Sequence, residues 1–148
     1  MSWQKLKKGR YSKTFGEYFI TFTCHKRHAT FIEHHLAKRF CQSISYNEQH
    51  HDCSWLAWVL MPDHFHGLVR LGNTELGKVV GHLKGYSSHM INQCVQGNSK
   101  VWQGAYYDRA LRAEEQRIAI ARYIVANPLR AGLVTNIGSY PYWNSVYL

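Results

Sequence analysis

The distribution of apolar and polar positions divides the chain into alternating strand-like and helix-like segments. Tyr18-Phe19-Ile20-Thr21-Phe22-Thr23, rich in aromatic and β-branched side chains, predicts a strand. Leu36, Phe40 and Ile44 then recur at helical spacing, with Ala37 and Cys41 widening the apolar stripe, so a helix is expected across roughly residues 33 to 49. Residues 53 to 61 are apolar at nearly every position, which predicts a central strand covered on both faces. Pro62-Asp63 is a short turn signal, so the strand of residues 64 to 71 should pair antiparallel with the one before it. Along that strand Phe65, Gly67, Val69 and Leu71 point to one side; His64, His66, Leu68 and Arg70 point to the other.

A second helix is expected from about Thr74 to Val95, burying Leu76, Val79, Val80, Leu83, Met90, Ile91 and Cys94 and ending at Gly97-Asn98-Ser99. Residues 101 to 111 read as a loop leading into a short fourth strand. A third helix spans about Ala113 to Ala126, with Glu114 and Glu115 in the first turn, where the helix dipole favours acids. It should stop at Asn127, because Pro128 disfavours helical geometry in the residue before it. The tail, with Trp143 and three tyrosines, is expected to fold back over the domain. This order resembles a ferredoxin-like α+β sandwich with one extra helix, a single domain over residues 1–148 with a basic arm at about 1–15. Two helices would cover one face of the antiparallel sheet. The third would cover the other and meet the two histidines.

Composition narrows the partners. The chain has 148 residues, is 45% hydrophobic and holds no apolar run long enough to cross a bilayer, so a core of ordinary size is expected. Lys and Arg outnumber Asp and Glu by 18 to 9, a formal net charge of +9 that favours a polyanion through phosphate contacts and counterion release. A membrane surface is the weaker alternative, since no segment pairs a basic face with a clean apolar one. Cys24, Cys41, Cys53 and Cys94 show no close pairing and no apolar leader opens the chain, which predicts reduced thiols and a cytoplasmic location. In the arm, Lys5, Lys7, Lys8, Arg10 and Lys13 are interleaved with Trp3, Tyr11 and Phe15. That pattern suits stacking on unpaired bases beside phosphates, and equally a solvated basic terminus.

Candidate chemistry centres on His64-Phe65-His66. Two imidazoles at i and i+2 share a strand face and can share a divalent metal, although half-exposed strands often carry polar residues without one. On the third helix Tyr123 and Asn127 lie one turn apart, so a phenol and a carboxamide oxygen can point at one site. A metal held by two imidazoles and an amide oxygen keeps positions open for a phosphate oxygen, and a phenol beside it can attack if a nearby cation or base helps remove its proton. A phosphotyrosine diester preserves the energy of the broken phosphodiester, so a strand can be cut and rejoined with no nucleotide cofactor. Tyr86, with His82 and His89 at helical spacing, is the rival nucleophile, but its register with Val79, Leu83 and Met90 predicts core.

The segment Trp58-Val59-Leu60-Met61-Pro62-Asp63-His64-Phe65-His66-Gly67-Leu68-Val69 resembles the HUH signature (His, bulky hydrophobe, His) of the single-tyrosine transposases. Tyr123-Ile124-Val125-Ala126-Asn127-Pro128-Leu129-Arg130-Ala131-Gly132-Leu133-Val134 resembles the tyrosine motif of their REP-associated branch. The resemblance extends through Val101-Trp102-Gln103-Gly104 and Tyr142-Trp143, and so covers essentially the whole chain. It implies Mg²⁺ or Mn²⁺ on His64 and His66, Tyr123 as nucleophile and Asn127 as third ligand. Insertion-sequence relatives carry glutamine at that last position, and Asn127 also suits a helix C-cap.

The implied activity is that of a single-strand DNA endonuclease and strand transferase acting near imperfect hairpins, such as repetitive extragenic palindromes, through a 5′-phosphotyrosine. It would work in the bacterial cytoplasm at the nucleoid, and both monomers and homodimers occur among such relatives. The basic arm, Arg27, Lys84 and Arg130 are expected on the DNA backbone, with Trp3 or Trp102 stacking on a base. Two other readings stay open. One is a hairpin DNA- or RNA-binding regulatory module without turnover; the other is a structural or sensing zinc protein using His64 and His66 with Cys24, His25 or His28.

Overall fold

Alternation along the strands builds a sheet whose two faces differ in chemistry. The computed structural model describes residues 13–112 and 114–148; Trp3, Lys5, Lys7, Lys8 and Arg10 of the basic arm, and the side chains of Glu114 and Glu115, lie outside the described residues. The elements in chain order are β1 (Glu17–Thr23), α1 (His34–His50), β2 (Cys53–Met61), β3 (His64–Leu71), α2 (Leu76–Val95), β4 (Tyr107–Ala110), α3 (Glu114–Val125), α4 (Asn127–Arg130) and β5 (Trp143–Ser145). All strand pairs are antiparallel and the sheet runs β4-β1-β3-β2-β5. The first four strands keep the ferredoxin-like order expected from the sequence. The tail folds back as anticipated, but it does so as a fifth strand on the edge of β2, a pairing that its short length concealed.

On the first face, Ile20, Phe22, Phe65 and Leu60 pack with Phe40 of α1 and Leu83 of α2. On the second, Leu56, Val59, Met61 and Leu68 pack against Ala121 and Ile124 of α3. β2 supplies both layers, and simple alternation does not describe it. Between Trp55 and Ala57 it carries one more residue than β3 opposite, a β-bulge at Leu56 that puts Trp55 and Trp58 in the same layer. Gly67 is required beside it: a Cβ there would lie 2.6 Å from Trp55 Cζ3.

Several helix boundaries and faces differ from the sequence reading. Cys94 is exposed and Met90 only half-buried; Ser87 is fully buried instead, its hydroxyl bonded to Lys84 O and Trp102 Nε1. The helix ends through Gln96 in the left-handed conformation (φ 55°), ahead of Gly97. α3 ends at Val125, but Pro128 does not end the helical path: Asn127 opens α4, where a proline in the first turn lacks only an N–H that has no intrahelical partner. Among the described residues no helix is long and apolar enough to cross a membrane.

One ion-pair cluster fastens α3 to the sheet. Arg117 Nε and Nη2 donate to the two oxygens of Glu17 at 2.6 and 2.5 Å, and Arg70 Nε donates to Glu17 Oε2 at 3.2 Å. Burial pushes the Glu17 carboxyl up, but the two guanidinium partners outweigh it and hold the group below its usual 4.5. A depressed carboxylate stabilises the fold fully above that usual value and loses its contribution as pH falls through the lower folded value. Glu17→Gln is therefore expected to cost about 1.5–3 kcal/mol at neutral pH. In urea denaturation the wild type should lose stability below about pH 4.5, and the variant should lack that part of the decline.

Candidate active site

Strand register assembles the site on the α3 face of the sheet. Thr23 lies opposite His64 and Thr21 opposite His66 across β1 and β3, while β4 sets Tyr107 opposite Thr21 and Arg109 opposite Phe19. Cross-strand partners share a face, so these side chains form three adjacent rows, of which those of Thr21 and Phe19 end at the β4 edge. α3 covers the neighbouring apolar surface of β2 and stops short of them.

The two imidazoles have ring centroids 4.7 Å apart and planes at 79°. His64 Nδ1 lies 2.7 Å from Asp63 Oδ1, and His66 Nδ1 lies 2.7 Å from Thr21 Oγ1. A carboxylate only accepts, so His64 donates from Nδ1 and in its neutral form keeps a lone pair on Nε2; the threonine hydroxyl allows His66 the same tautomer. Burial, followed by the charges of His64 and Arg130, pushes His66 down to about 3, so it is neutral at physiological pH. Burial raises Asp63, but the hydrogen bond and charge of His64 and the charge of Arg27 outweigh that and leave it below its usual 3.8. Arg27 Nε stands 3.3 Å from Asp63 Oδ2. Thr23 Oγ1, on the same face as His64, is buried without a hydrogen-bond partner among the described residues.

Tyr123 reaches this region from α3. Its side chain is exposed, and the Arg130 guanidinium carbon sits 3.8 Å from its ring centroid while Arg130 Nη2 donates to the Tyr123 carbonyl at 2.7 Å. Phe19 joins the two halves, stacked with His66 at 5.6 Å and edge-on to Tyr123 at 6.4 Å. Tyr123, Thr21 and His66 line one cavity of about 520 Å³. Asn127 stands one helical turn beyond Tyr123, half-buried and helical as the first residue of α4. It does not take the left-handed C-cap conformation that was its alternative reading.

Other sequence candidates lie elsewhere. Trp102, a candidate for base stacking, is 4% exposed, packed among Phe22, Phe31 and Phe40 and hydrogen-bonded to Ser87, so it is a core residue. Lys84 is committed to the fold as well, its ammonium donating to the carbonyls of Gln103 and Ala105 at 2.7 and 3.1 Å. Lys13 is exposed but precedes the end of β1 remote from the histidines. Tyr86 is half-buried on α2, across the sheet from His64 and His66, and stacks on Tyr46 at 4.2 Å.

The zinc reading loses one of its partners. Cys24 belongs to the opposite, helix-covered core, where burial pushes its thiol up to about 11. Among the described residues the three-imidazole cluster is His50, His51 and His82, away from the HUH pair. Its geometry suits stacking better than a shared ion. The His50 and His82 rings are parallel within 6° at 4.5 Å, so their in-plane lone pairs do not converge. His82 Nδ1 also accepts from the Asn47 amide, whose oxygen is held by Trp55 Nε1.

Thr21, Asp63, Phe19, Tyr107 and Arg109 were not singled out in the sequence. Asp63 could have been, since it directly precedes His64. The others join the site through register alone.

The family model described as Transposase IS200 like matches residues 13–127, a span that contains His64, His66, Tyr123 and Asn127. A Haemophilus influenzae protein provisionally named a REP-associated tyrosine transposase is 22% identical over 138 residues, covering 86% of this chain and 78% of that protein. The Escherichia coli K12 REP-associated tyrosine transposase is 25% identical over 88 residues, covering 58% of this chain and 50% of the relative. A solved REP-associated tyrosine transposase bound to a REP hairpin shares the fold with a TM-score of 0.77 at 21% identity, over 90% of this chain and 79% of that one. A Deinococcus radiodurans crystal structure provisionally described as a transposase gives a TM-score of 0.53 at 22% identity, over 80% and 95% of the two chains.

The contrasting positions of Trp102 and Arg27 are testable by urea denaturation. Trp102→Ala is expected to cost about 3–5 kcal/mol by opening a core cavity. Arg27→Ala, which removes an ion pair 60% exposed on the arginine side, should stay within about 1 kcal/mol of wild type.

Proposed function

The chain belongs to the IS200-like transposase family, within its REP-associated tyrosine branch, and from that premise we propose that it cuts and rejoins single-stranded DNA beside imperfect hairpins. The observation that carries the reading is the anchoring of both imidazoles through Nδ1, with Tyr123 on the cavity that His66 lines. Such anchoring is how metal-binding histidines are usually oriented. The neutral state of His66 and the unpartnered Thr23 hydroxyl beside His64 fit the same use. Two imidazoles with amide and phosphate oxygens form a mixed donor set that suits Mn²⁺ and, with water completing the shell, Mg²⁺.

In this reading His64 and His66 would hold the ion and Asn127 would supply an oxygen. When bound, the ion supplies Lewis-acid polarisation of a phosphate oxygen. Tyr123 Oη attacks phosphorus in line with the 3′-oxygen, its phenolic proton passing to solvent. The bond from phosphorus to the 3′-oxygen breaks, that oxygen leaves as a hydroxyl after taking a proton, and the 5′ end stays on Tyr123 as a phosphotyrosine. A 3′-hydroxyl attacking that diester reverses the step and joins strands. Arg130 keeps the phenol from rotating away and places positive charge beside the developing phenolate and phosphate. Arg27, exposed beside Asp63, is available to the DNA backbone at the other end of the histidine pair.

Incubation of end-labelled hairpin oligonucleotides with the protein and Mn²⁺ or Mg²⁺ should give a covalent complex on a denaturing gel. Tyr123→Phe should abolish it. Thr21→Val and Asp63→Ala should each lower metal affinity or adduct formation about 10–100-fold by freeing an imidazole. An adduct surviving Tyr123→Phe would reject the nucleophile, and tight hairpin binding with no adduct would favour the regulatory module.

A further inference from the structure

The cavity beside Tyr123 extends past the groups that the proposed cut requires. Its floor is Phe19 and its outer wall is the β4 edge, with Tyr107 and Arg109; Ala119 and Ile120 of α3 form the opposite wall. Arg109 lies directly across the strand ladder from Phe19, and its guanidinium carbon is 6.0 Å from the Phe19 ring centroid. Neither residue is needed to hold a phosphate at His64 and His66. Together they make a different kind of surface: an aromatic face, small and aliphatic walls, and an exposed fork of hydrogen-bond donors at the rim.

We propose that this cavity is a nucleobase pocket, which receives one base adjoining the phosphate that Tyr123 attacks and so determines where the strand is cut. The proposal rests on the cutting reaction proposed above. A flat base can lie against Phe19, as bases stack on aromatic side chains in single-strand binding sites. Arg109 can then meet its edge. A guanidinium has donors and no acceptor, so it favours an edge with two adjacent acceptors: O6 and N7 of guanine, or O2 and N3 of an unpaired cytosine. Adenine and thymine offer no such pair, because an amino or ring N–H donor stands beside their acceptors, which gives the pocket a physical reason to discriminate. At about 520 Å³, the cavity is within the usual range of small-molecule pockets, from about 300 to 1,000 Å³. Because it lies between α3 and the exposed edge of the sheet, a base can enter without disturbing either core layer.

The test uses the full-length protein and a pool of hairpin oligonucleotides whose single-stranded flank is randomised. Strands that become covalently attached in Mn²⁺ are sequenced, as are strands retained without covalent linkage. Wild type should enrich guanine or cytosine over adenine and thymine at one flank position. Arg109→Ala should reduce that enrichment about tenfold while leaving the other positions unchanged. Ala119→Trp, a substitution at an exposed helical position that projects bulk into the cavity, should erase the same preference. The proposal is overturned if wild type shows no base preference, or if the preference is the same in both variants. Should wild type form no adduct while the retained strands still show the Arg109-dependent preference, the cutting reaction fails and the pocket stands.

Discussion

The second face of the sheet carries two surfaces on the same strands, and α3 can cover only one of them. Leu56, Val59, Met61 and Leu68 offer apolar area that must be buried, and Ala121 and Ile124 of α3 bury it. Thr21, His66, Phe19 and the β4 side chains lie beyond that area. The Glu17 clamp on Arg117 limits where α3 can sit, because a bidentate ion pair only 11% exposed on the carboxylate side tolerates little sliding. Together these constraints place Tyr123 at the border between the covered and the open surface. The cavity is the part of that face which the helix leaves uncovered.

Within this border the polar groups hold one another in place. Asp63 and Thr21 occupy the Nδ1 atoms of His64 and His66, so the two Nε2 atoms are what remains for a ligand. Arg130 approaches Tyr123 from α4. Seven residues of unbroken helix would separate their Cα atoms by about 10 Å, so the long guanidinium arm and the interruption of the helix at Ala126 both contribute to the contact. Pro128 makes that interruption without ending the helical path, and the tyrosine motif is in structural terms a broken helix whose second half returns a cation to the first.

Much of this was legible in the residues. Alternation in residues 64 to 71 placed His64 and His66 on one face and Phe65 on the other, because a strand's period is fixed by its backbone. The element order implied the strand order of a ferredoxin-like sheet, and the apolar run of β2 implied cover on both sides. Errors fell where a local pattern is silent. Trp102 and Lys84 look like surface residues in a basic, aromatic chain, yet folding surrounds Trp102 with Phe22, Phe31 and Phe40 and gives Lys84 two backbone carbonyls. The bulge at Leu56 inverts alternation partway through β2, and no residue type announces it.

What the sequence determined by itself is the set of elements, the common face of the two histidines, the helical spacing of Tyr123 and Asn127, and the basic charge that calls for a polyanion. These follow from periodicities of one or two chemical repeats and from composition, which need no knowledge of distant contacts. Tertiary structure alone decided that Thr21 anchors His66, that Arg130 covers Tyr123, and that Phe19 and Arg109 meet across a cavity beside it. Each of these depends on the register between strands or the position of a helix over a sheet. Both are selected by burying the whole apolar surface at once, so no short stretch of the chain contains them.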